Sequence, residues 1–209
     1  MRVGIFGGTF NPIHFGHLRA AEEVRQEIGL DTVVFVPSYI PPHKELAGST
    51  PADKRLEIVR LAIRTNPSFA LSSFEVEQGG SSYSIRTIEH MREKYGVTPF
   101  FILGQDAFNE ISTWYQSARL FGLAHFVVMS RPDAKRPDLQ EVLGEVHESF
   151  ERTEDGYVNL MGNRIMFVRV TPLDISSSLI RSLRRQGRSV RYLVPEEVED
   201  YIRNERMYE

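Results

Sequence analysis

The sequence predicts a doubly wound α/β fold, in which a mainly parallel sheet carries helices on both faces. Short apolar runs rich in β-branched residues alternate along the chain with segments of helical periodicity. A pair of glycines directly follows the first apolar run, as expected where a strand turns into a helix at a ligand site. The length of 209 residues suits one domain with a modest elaboration.

Six strands are predicted, each a short run of apolar residues bounded by turn-forming residues. Helical segments separate most of them, and such crossovers join parallel strands. The predicted strands are residues 2–6, 32–36, 69–74, 99–103, 125–129 and 165–170.

The predicted helices are marked by a periodicity of 3.6 residues and by the residues at their ends. The first begins near residue 12 and ends at Gly29, a residue typical of a helix C-cap. The second begins at Thr50-Pro51, since proline suits the first helical turn. One of the serines in Ser82-Tyr83-Ser84 is expected to cap the helix that follows. A pair of helices ends the chain, and the second of them opens at Pro195.

Residues 131–164 form the least regular stretch. They are polar, with a weak helical pattern at 139–150, so we expect a variable excursion of moderate helicity. Residues 175–209 are expected to form a C-terminal helical subdomain within a single domain that spans residues 1–209.

Composition excludes several classes of protein. The formal net charge of −3 argues against a general nucleic-acid binder, which needs an excess of cations. The absence of cysteine excludes disulfides and thiolate metal sites. No apolar run approaches the ~20 residues that cross a bilayer, and the N-terminus lacks the pattern of an export signal. We therefore expect a cytoplasmic enzyme without nucleic-acid or membrane partners.

Residues 7–17 carry the strongest functional signal. Gly7 and Gly8 allow backbone N–H groups to approach a ligand closely, and the next helix N-terminus favours an anion. His14 and His17 lie three residues apart and share a face, which indicates catalysis at a phosphate. The stretch is neither G-x-x-x-x-G-K-[ST] nor G-x-G-x-x-G, so ordinary NTPases and dinucleotide oxidoreductases lose support.

A second signal lies at residues 174–181, where clustered serines precede an apolar-periodic run. The serines predict a helix N-cap whose hydroxyl and N–H groups can also bind phosphate oxygens. Arg181 near the start of this helix opposes the macrodipole by up to about 1 kcal/mol, a cost that a bound triphosphate would offset. The alternative is a capped surface helix with a solvated arginine.

Together the two stretches resemble the T/H-x-G-H and I-S-S-T-x-I-R motifs of the nucleotidyltransferase superfamily. In detail they resemble bacterial nicotinate-nucleotide adenylyltransferases, over essentially the whole chain. Asn11 and Ser178 depart from the usual Asp and Thr, and Arg86 stands where the family is usually acidic. The resemblance implies a Rossmann-like sheet of order 3-2-1-4-5 with an added sixth strand. In that order residues 7–17 and 104–106 line one crevice, where the strand order reverses.

The resemblance also implies a reaction. AMP passes from ATP to nicotinate mononucleotide, giving the deamido dinucleotide and pyrophosphate in NAD biosynthesis, by in-line attack without an enzyme nucleophile. Mg²⁺ is expected on the phosphates, with no protein side chain as metal ligand. The partners are the two small-molecule substrates, and the protein is expected to be a monomer or a homodimer.

Site residues follow from the same resemblance. Those implied to be catalytic are His14, His17 and Arg181. Those implied to bind ATP are Gly7, Gly8, Thr9, Phe10, Gly104, Asp106, Ile175, Ser176 and Ser177. Those implied to bind the pyridine mononucleotide are Ser38, His43, Lys44, Tyr83, Ser84, Thr87 and Trp114.

Alternatives stay open at this point. Taken alone, Asp106 could cap a helix, Trp114 could be a core or rim aromatic, and His43 with Lys44 could belong to a solvated loop. The chain could instead be another member of the superfamily, such as a pantetheine-phosphate adenylyltransferase or a cytidylyltransferase, or a non-catalytic nucleotide-binding module. Trp114 and residues 82–87 favour a pyridine substrate. The sequence does not set the preference for nicotinate over nicotinamide mononucleotide.

Overall fold

A computed structural model describes residues 1–41, 50–131 and 134–209. Its strands are β1 (Val3–Gly8), β2 (Thr32–Pro37), β3 (Phe69–Leu71), β4 (Phe100–Gly104), β5 (His125–Ser130), β6 (Phe150–Arg152), β7 (Gly156–Asn159) and β8 (Arg164–Arg169). They form one sheet in the order β3-β2-β1-β4-β5-β8-β7-β6.

The predicted order of the parallel strands is confirmed. β1 pairs in parallel with both β2 and β4, and β5 lies beside β4. The sixth predicted strand is β8, which pairs in parallel with β5. The strand order therefore reverses between β1 and β4, and their carboxyl ends lie side by side.

Helices connect the strands. They are α1 (Phe15–Ile28), α2 (Ala52–Ile63), α3 (Phe74–Gln78), α4 (Ser84–Tyr95), α5 (Gln105–Asn109), α6 (Ser117–Leu120), α7 (Leu139–Leu143), α8 (Ser177–Arg185) and α9 (Glu196–Asn204). Short 3₁₀ turns lie at Ile111–Thr113 and Gly144–Ser149. Gly29 caps α1 in the left-handed conformation, and Pro195 precedes α9, as predicted.

Each face of the sheet has its own hydrophobic core. On one face, Phe6 of β1 packs in a cluster with buried residues of α1, α2, α8 and α9. On the other face, Val3 and Ile5 pack in a cluster with α4, α5, α6 and α7. Alternate residues of one strand thus serve two cores, which is the arrangement of a doubly wound fold.

The excursion at 131–164 was only partly predicted. The weak helical pattern corresponds to α7 and the 3₁₀ turn after it, but the following residues form the antiparallel pair β6 and β7. β7 also pairs with β8, so this hairpin extends the sheet by two strands. Each new strand has only three or four residues, too few for alternation to register as a pattern.

Two local predictions were wrong. The third strand ends at Leu71 instead of residue 74, because the Ser72 hydroxyl accepts a hydrogen bond from the N–H of Phe74 (3.3 Å) and Phe74 begins α3. No serine side chain caps α4, whose N-cap residue is Tyr83. The Ser82 hydroxyl instead accepts a hydrogen bond from the N–H of Tyr39 (2.8 Å).

Candidate active site

A cavity of about 260 Å³ opens at the carboxyl ends of β1 and β4. Both motif-bearing loops of the switch point contribute to it, as expected for a ligand site in a doubly wound sheet. Of the residues predicted to bind substrate, those that line it are Gly7, Gly8, Thr9, Ser38, Tyr83, Ser84, Gly104 and Trp114.

The glycines of this cavity have different reasons to be glycine. A Cβ on Gly104 would meet nothing within 4 Å, and one on Gly7 would meet only the ring of Phe101, at 3.9 Å. A Cβ on Gly8 would lie 3.0 to 3.2 Å from the ring of Phe10, a buried residue with a left-handed φ of 46°. Gly8 therefore accommodates Phe10, whereas Gly7 and Gly104 leave space for a ligand.

His14 and His17 stand together at the N-terminus of α1. His14 is the N-cap residue, and the centroids of the two imidazole rings are 3.7 Å apart. The Nδ1 atom of His17 accepts a hydrogen bond from the backbone N–H of His14 (3.3 Å). The proton of a neutral His17 ring therefore lies on Nε2, which makes Nε2–H the donor available to a ligand.

Burial keeps both imidazoles neutral at pH 7. It lowers the pKa of His14 to about 4. It also lowers the pKa of His17 to about 3, with a further contribution from the charge of a protonated His14. The Nδ1 atom of His14 is buried and has no hydrogen-bond partner among the described residues. The pair consequently offers neutral polar groups, unless a bound polyanion draws protons onto the rings.

Gly16 lets the His14 ring fit beside the chain that leads to α8. A Cβ at this position would lie 2.9 Å from Nδ1 of His14 and 3.7 Å from the carbonyl oxygen of Ile175. Glycine is therefore needed between the two histidines for packing, which the spacing of the motif alone does not reveal.

The N-terminus of α8 is attached to the loop after β1. Ser176 is the N-cap residue and its hydroxyl accepts a hydrogen bond from the N–H of Leu179 (3.1 Å). The Ser177 hydroxyl donates to the carbonyl oxygen of Pro12 (2.8 Å). Nη1 of Arg181 donates to the carbonyl oxygen of Asn11 (2.7 Å). The two motifs therefore contact each other directly, although they lie near opposite ends of the chain.

The C-terminal residues complete this contact. The Tyr208 hydroxyl donates to Oδ1 of Asn11 (2.7 Å). A second cleft, of about 370 Å³, lies between this segment and the start of α2. The basic residues among those that line it are Lys54, Arg181, Arg185 and Arg206. Lys54 is paired there with Glu205 (2.9 Å). Arg181 thus faces a cleft lined by four basic side chains, together with the acidic residues Glu205 and Glu209.

The cavity also has an aromatic wall. Trp114 lines it and meets Phe101 edge to face, with ring centroids 6.1 Å apart. Tyr83 packs against Tyr115 at 4.6 Å. Ser38 also lines the cavity, and its buried hydroxyl has no hydrogen-bond partner among the described residues. A planar ring with a polar substituent would match these surfaces.

Several predicted residues lie elsewhere. Thr87 is buried and does not line the cavity, because its hydroxyl donates to the Glu75 carboxylate. Asp106 is exposed in the first turn of α5, whose N-cap is Gly104, so it does not cap that helix. His43 and Lys44 lie outside the described residues. The remaining predicted residues lie in or next to the loop after β1 and around the start of α8, and they do not line this cavity. They are Phe10, His14, His17, Ile175, Ser176, Ser177 and Arg181.

Arg86, at the position that is usually acidic in the family, is exposed and contacts the site only at its edge. Its guanidinium carbon lies 5.5 Å from the centre of the Tyr83 ring. This departure from the family pattern therefore places the cationic side chain of Arg86 against Tyr83, an aromatic residue that lines the cavity.

Sequence reasoning missed two buried charged residues beside the cavity. Arg55 of α2 has no exposed surface, and its guanidinium donates hydrogen bonds to backbone carbonyl oxygens. Glu75 of α3 is 8% exposed and lines the cavity. Burial raises the pKa of Glu75, although the hydroxyls of Thr87 and Ser82 act in the opposite direction. Arg55 lies on the same helix face as Ile58, Val59 and Ala62, and the helical periodicity of the sequence does indicate that this position is buried.

Comparison with known proteins identifies the family. A family model described as Cytidylyltransferase-like matches residues 5–183. A Geotalea daltonii protein named "Probable nicotinate-nucleotide adenylyltransferase" is 46% identical over 212 residues, which cover 100% of this chain and 98% of the relative. A Geobacter metallireducens protein of the same name is 44% identical with the same coverage. The chain belongs to the nicotinate-nucleotide adenylyltransferase family.

Solved structures agree at the level of the fold. The nicotinic acid mononucleotide adenylyltransferase of Plasmodium falciparum, complexed with NaAD, matches with a TM-score of 0.72 and 17% sequence identity. The match covers 99% of this chain and 97% of that one. The same enzyme complexed with APC matches with a TM-score of 0.71. The chain therefore has the sheet and helix arrangement of this enzyme family.

Two features are absent from residues 1–41, 50–131 and 134–209. No group of three or more His, Cys, Asp or Glu side chains is placed to hold a metal ion. No helix in these ranges combines the length and apolar character of a membrane span.

Proposed function

We propose that this chain transfers AMP from ATP to nicotinate mononucleotide, releasing pyrophosphate and forming nicotinate adenine dinucleotide for NAD biosynthesis. One observation carries the proposal. Arg181 and Ser177 of α8 are hydrogen-bonded to the loop after β1, so the phosphate-binding groups of both motifs meet beside the histidine pair. Family membership makes the assignment specific to adenylyl transfer.

ATP is assigned to the side of the site that contains the histidines. The loop that follows Gly8 at the end of β1 and the N-terminus of α8 both present backbone N–H groups, which suit phosphate oxygens. Arg181 adds a fixed cation at the same place. Gly104, whose missing side chain leaves open space, suits the nucleoside part of ATP.

The mononucleotide is assigned to the cavity. Trp114 offers an aromatic surface for the pyridine ring, and Ser84 begins α4, where free backbone N–H groups favour a carboxylate. The buried hydroxyl of Ser38 provides another polar group. His43 and Lys44 stay predicted contacts of the mononucleotide phosphate.

The reaction needs positioning and charge stabilisation. The mononucleotide phosphate attacks the α-phosphorus of ATP in line, the bond to the bridging oxygen breaks, and pyrophosphate leaves. His17 donates from Nε2–H to an oxygen that gains charge, and His14 stands beside it. Arg181 holds the departing phosphates. Preorganised donors of this kind act without an enzyme nucleophile.

Mg²⁺ is assigned to the phosphates of ATP. The site offers N–H groups, imidazoles and an arginine, which suit phosphate oxygens, so the oxygen ligands of the metal would come from ATP and water. The metal would neutralise charge on the leaving pyrophosphate. A cytoplasmic location and a monomeric or homodimeric state complete the proposal.

Pyrophosphate release tests the substrate assignment. The protein is supplied with ATP·Mg²⁺ and, separately, nicotinate mononucleotide, nicotinamide mononucleotide or phosphopantetheine at matched concentrations. We expect rapid release with nicotinate mononucleotide. Turnover with phosphopantetheine alone would keep the phosphate chemistry and overturn the substrate. No release with any of the three would favour a nucleotide-binding module or a cytidylyltransferase.

His17→Ala tests the catalytic assignment in the same assay. Because one preorganised donor to the developing charge is lost, kcat is expected to fall by roughly 10²-fold or more. His90→Ala is the matched control, since His90 stacks on Phe74 at 4.0 Å and does not line the cavity. Near-normal turnover of the His17 variant would remove this residue from the mechanism.

A further inference from the structure

One buried polar network joins the two halves of the site. At one end, Nη1 of Arg55 donates to the carbonyl oxygens of Thr9 (2.8 Å) and Ser38 (2.6 Å). Nη2 donates to the carbonyl oxygen of Tyr39 (2.9 Å), and Nε to that of Thr50 (3.2 Å). A single planar side chain thus holds the loop after β1, the loop after β2 and the segment before α2.

The network continues from Tyr39 to Glu75. The N–H of Tyr39 donates to the Ser82 hydroxyl (2.8 Å). The same hydroxyl acts on the Glu75 carboxyl group, whose pKa it lowers. The Thr87 hydroxyl donates to the same carboxyl group from within α4. Glu75 therefore fixes the start of α4, which carries the cavity-lining residues Tyr83 and Ser84.

The charge of Arg55 is also unusual. No carboxylate forms an ion pair with it among residues 1–41, 50–131 and 134–209, and backbone carbonyl dipoles are its partners. A buried cation without a paired anion is costly for stability alone. Beside a site for two phosphate-bearing substrates, its positive potential favours both of them.

We propose that Arg55 and Glu75 are positioning residues at the two ends of this network. The network keeps the residues that line the mononucleotide cavity aligned with the loop after β1, to which the ATP phosphates are assigned. Arg55 acts on both substrates, because it holds Thr9 and Ser38 together. Glu75 acts on the mononucleotide alone, because the hydroxyls that act on its carboxyl group, those of Thr87 and Ser82, lie in α4 and just before it. The assignment of each substrate to its side rests on the proposed function.

Calorimetric titration of each substrate tests the proposal. Arg55→Lys keeps the charge but cannot reach all four carbonyl oxygens, so the Kd for ATP·Mg²⁺ and the Kd for nicotinate mononucleotide should each rise roughly 10-fold. Val59→Ala is the matched control, because it destabilises the same helix from its apolar face, where Val59 has no exposed surface. It should leave both Kd values unchanged at a temperature where all variants are folded.

Glu75→Met removes both acceptor oxygens at similar length. It should raise the Kd for nicotinate mononucleotide roughly 10-fold and leave the Kd for ATP·Mg²⁺ unchanged. Glu77→Met, on the exposed side of the same helix, should leave both values unchanged. If the Glu75 variant does not fold, Thr87→Val removes one donor to Glu75 and should show the same selective effect.

Two results would overturn the proposal. Arg55→Lys could behave like Val59→Ala, losing thermal stability while both Kd values stay constant, which would make Arg55 a structural residue. Glu75→Met, or Thr87→Val in its place, could weaken both substrates equally. Failure of the proposed function is separate, because it would appear in the wild-type protein as turnover of a different acceptor or of none.

Discussion

His14 and His17 form a pair of largely buried imidazoles whose ring centroids are 3.7 Å apart. Their pKa values are lowered to about 4 and about 3, so the folded protein holds two neutral rings where the unfolded chain would titrate near 6.5. Protons therefore bind the unfolded chain first as the pH falls below about 6.5. The pair therefore lowers the stability of the folded protein in mild acid.

This arrangement predicts a pH-dependent stability. Between pH 7 and pH 5 the free energy of unfolding should fall by about 1 to 2 kcal/mol for each histidine, because the unfolded chain takes up protons that the folded chain excludes. Urea unfolding at the two pH values measures the fall. The double variant His14→Gln/His17→Gln should show a smaller fall than the wild type. An equal fall in the double variant would contradict the pKa assignment.

The departures from the family motifs also make sense at the level of single residues. Oδ1 of Asn11 accepts the Tyr208 hydroxyl, a bond that the usual aspartate could equally accept. The Ser178 hydroxyl accepts from Nη2 of Arg181 (3.1 Å), as the usual threonine could. Both substitutions therefore keep the hydrogen bonds on which the two motifs depend.

Among the elements, α8 links the two motifs. Its first residue donates a hydrogen bond to the loop after β1, its second turn supplies Arg181, and Ile180 anchors it in the core with no exposed surface. A helix held in this way keeps its N-terminal N–H groups directed at one place without a ligand.

Ser177→Ala tests the importance of this attachment. The variant leaves the partly buried carbonyl of Pro12 without its donor, so we expect a loss of about 1 kcal/mol in the free energy of unfolding and a several-fold weaker affinity for ATP. Ser182→Ala, on the same helix, loses only a contact with Gln186 and serves as control. Chemical unfolding and ATP titration of both variants give the comparison. Indistinguishable affinities would show that the Ser177 hydroxyl does not orient α8 for ATP.

At the scale of the whole molecule, the alternation of strands and helices could be predicted because each parallel strand is a continuous apolar run between clear turn signals. The proximity of residues 7–17 to the loop after β4 could also be predicted, from the order of the strands in the sheet. The hairpin β6–β7 could not be predicted, since its strands have three and four residues and form only beside β8.

Arg55 and Glu75 escaped prediction for another reason. A charged residue is expected at the surface unless its partners are known. The partners of Arg55 are backbone carbonyl groups, one of them 46 positions away at Thr9, and no side-chain type in the sequence marks a carbonyl as an acceptor. The buried residues that hold the cavity wall in place can therefore be recognised only from the tertiary structure, whereas the loops after β1 and β4 can be recognised from their sequence motifs.

The contact between Asn11 and the C-terminal part of the chain has a consequence for biosynthesis. Asn11 is bonded to Arg181 and Tyr208, which lie 170 and 197 positions later. At ordinary translation speeds the ribosome reaches Arg181 roughly 10 to 30 s after Asn11. The loop after β1 therefore emerges long before its arginine, and the contact between them forms only after nearly the whole polypeptide has been made. A chain that stops short of α8 would keep its first motif and lack the serine and arginine groups that α8 attaches to it.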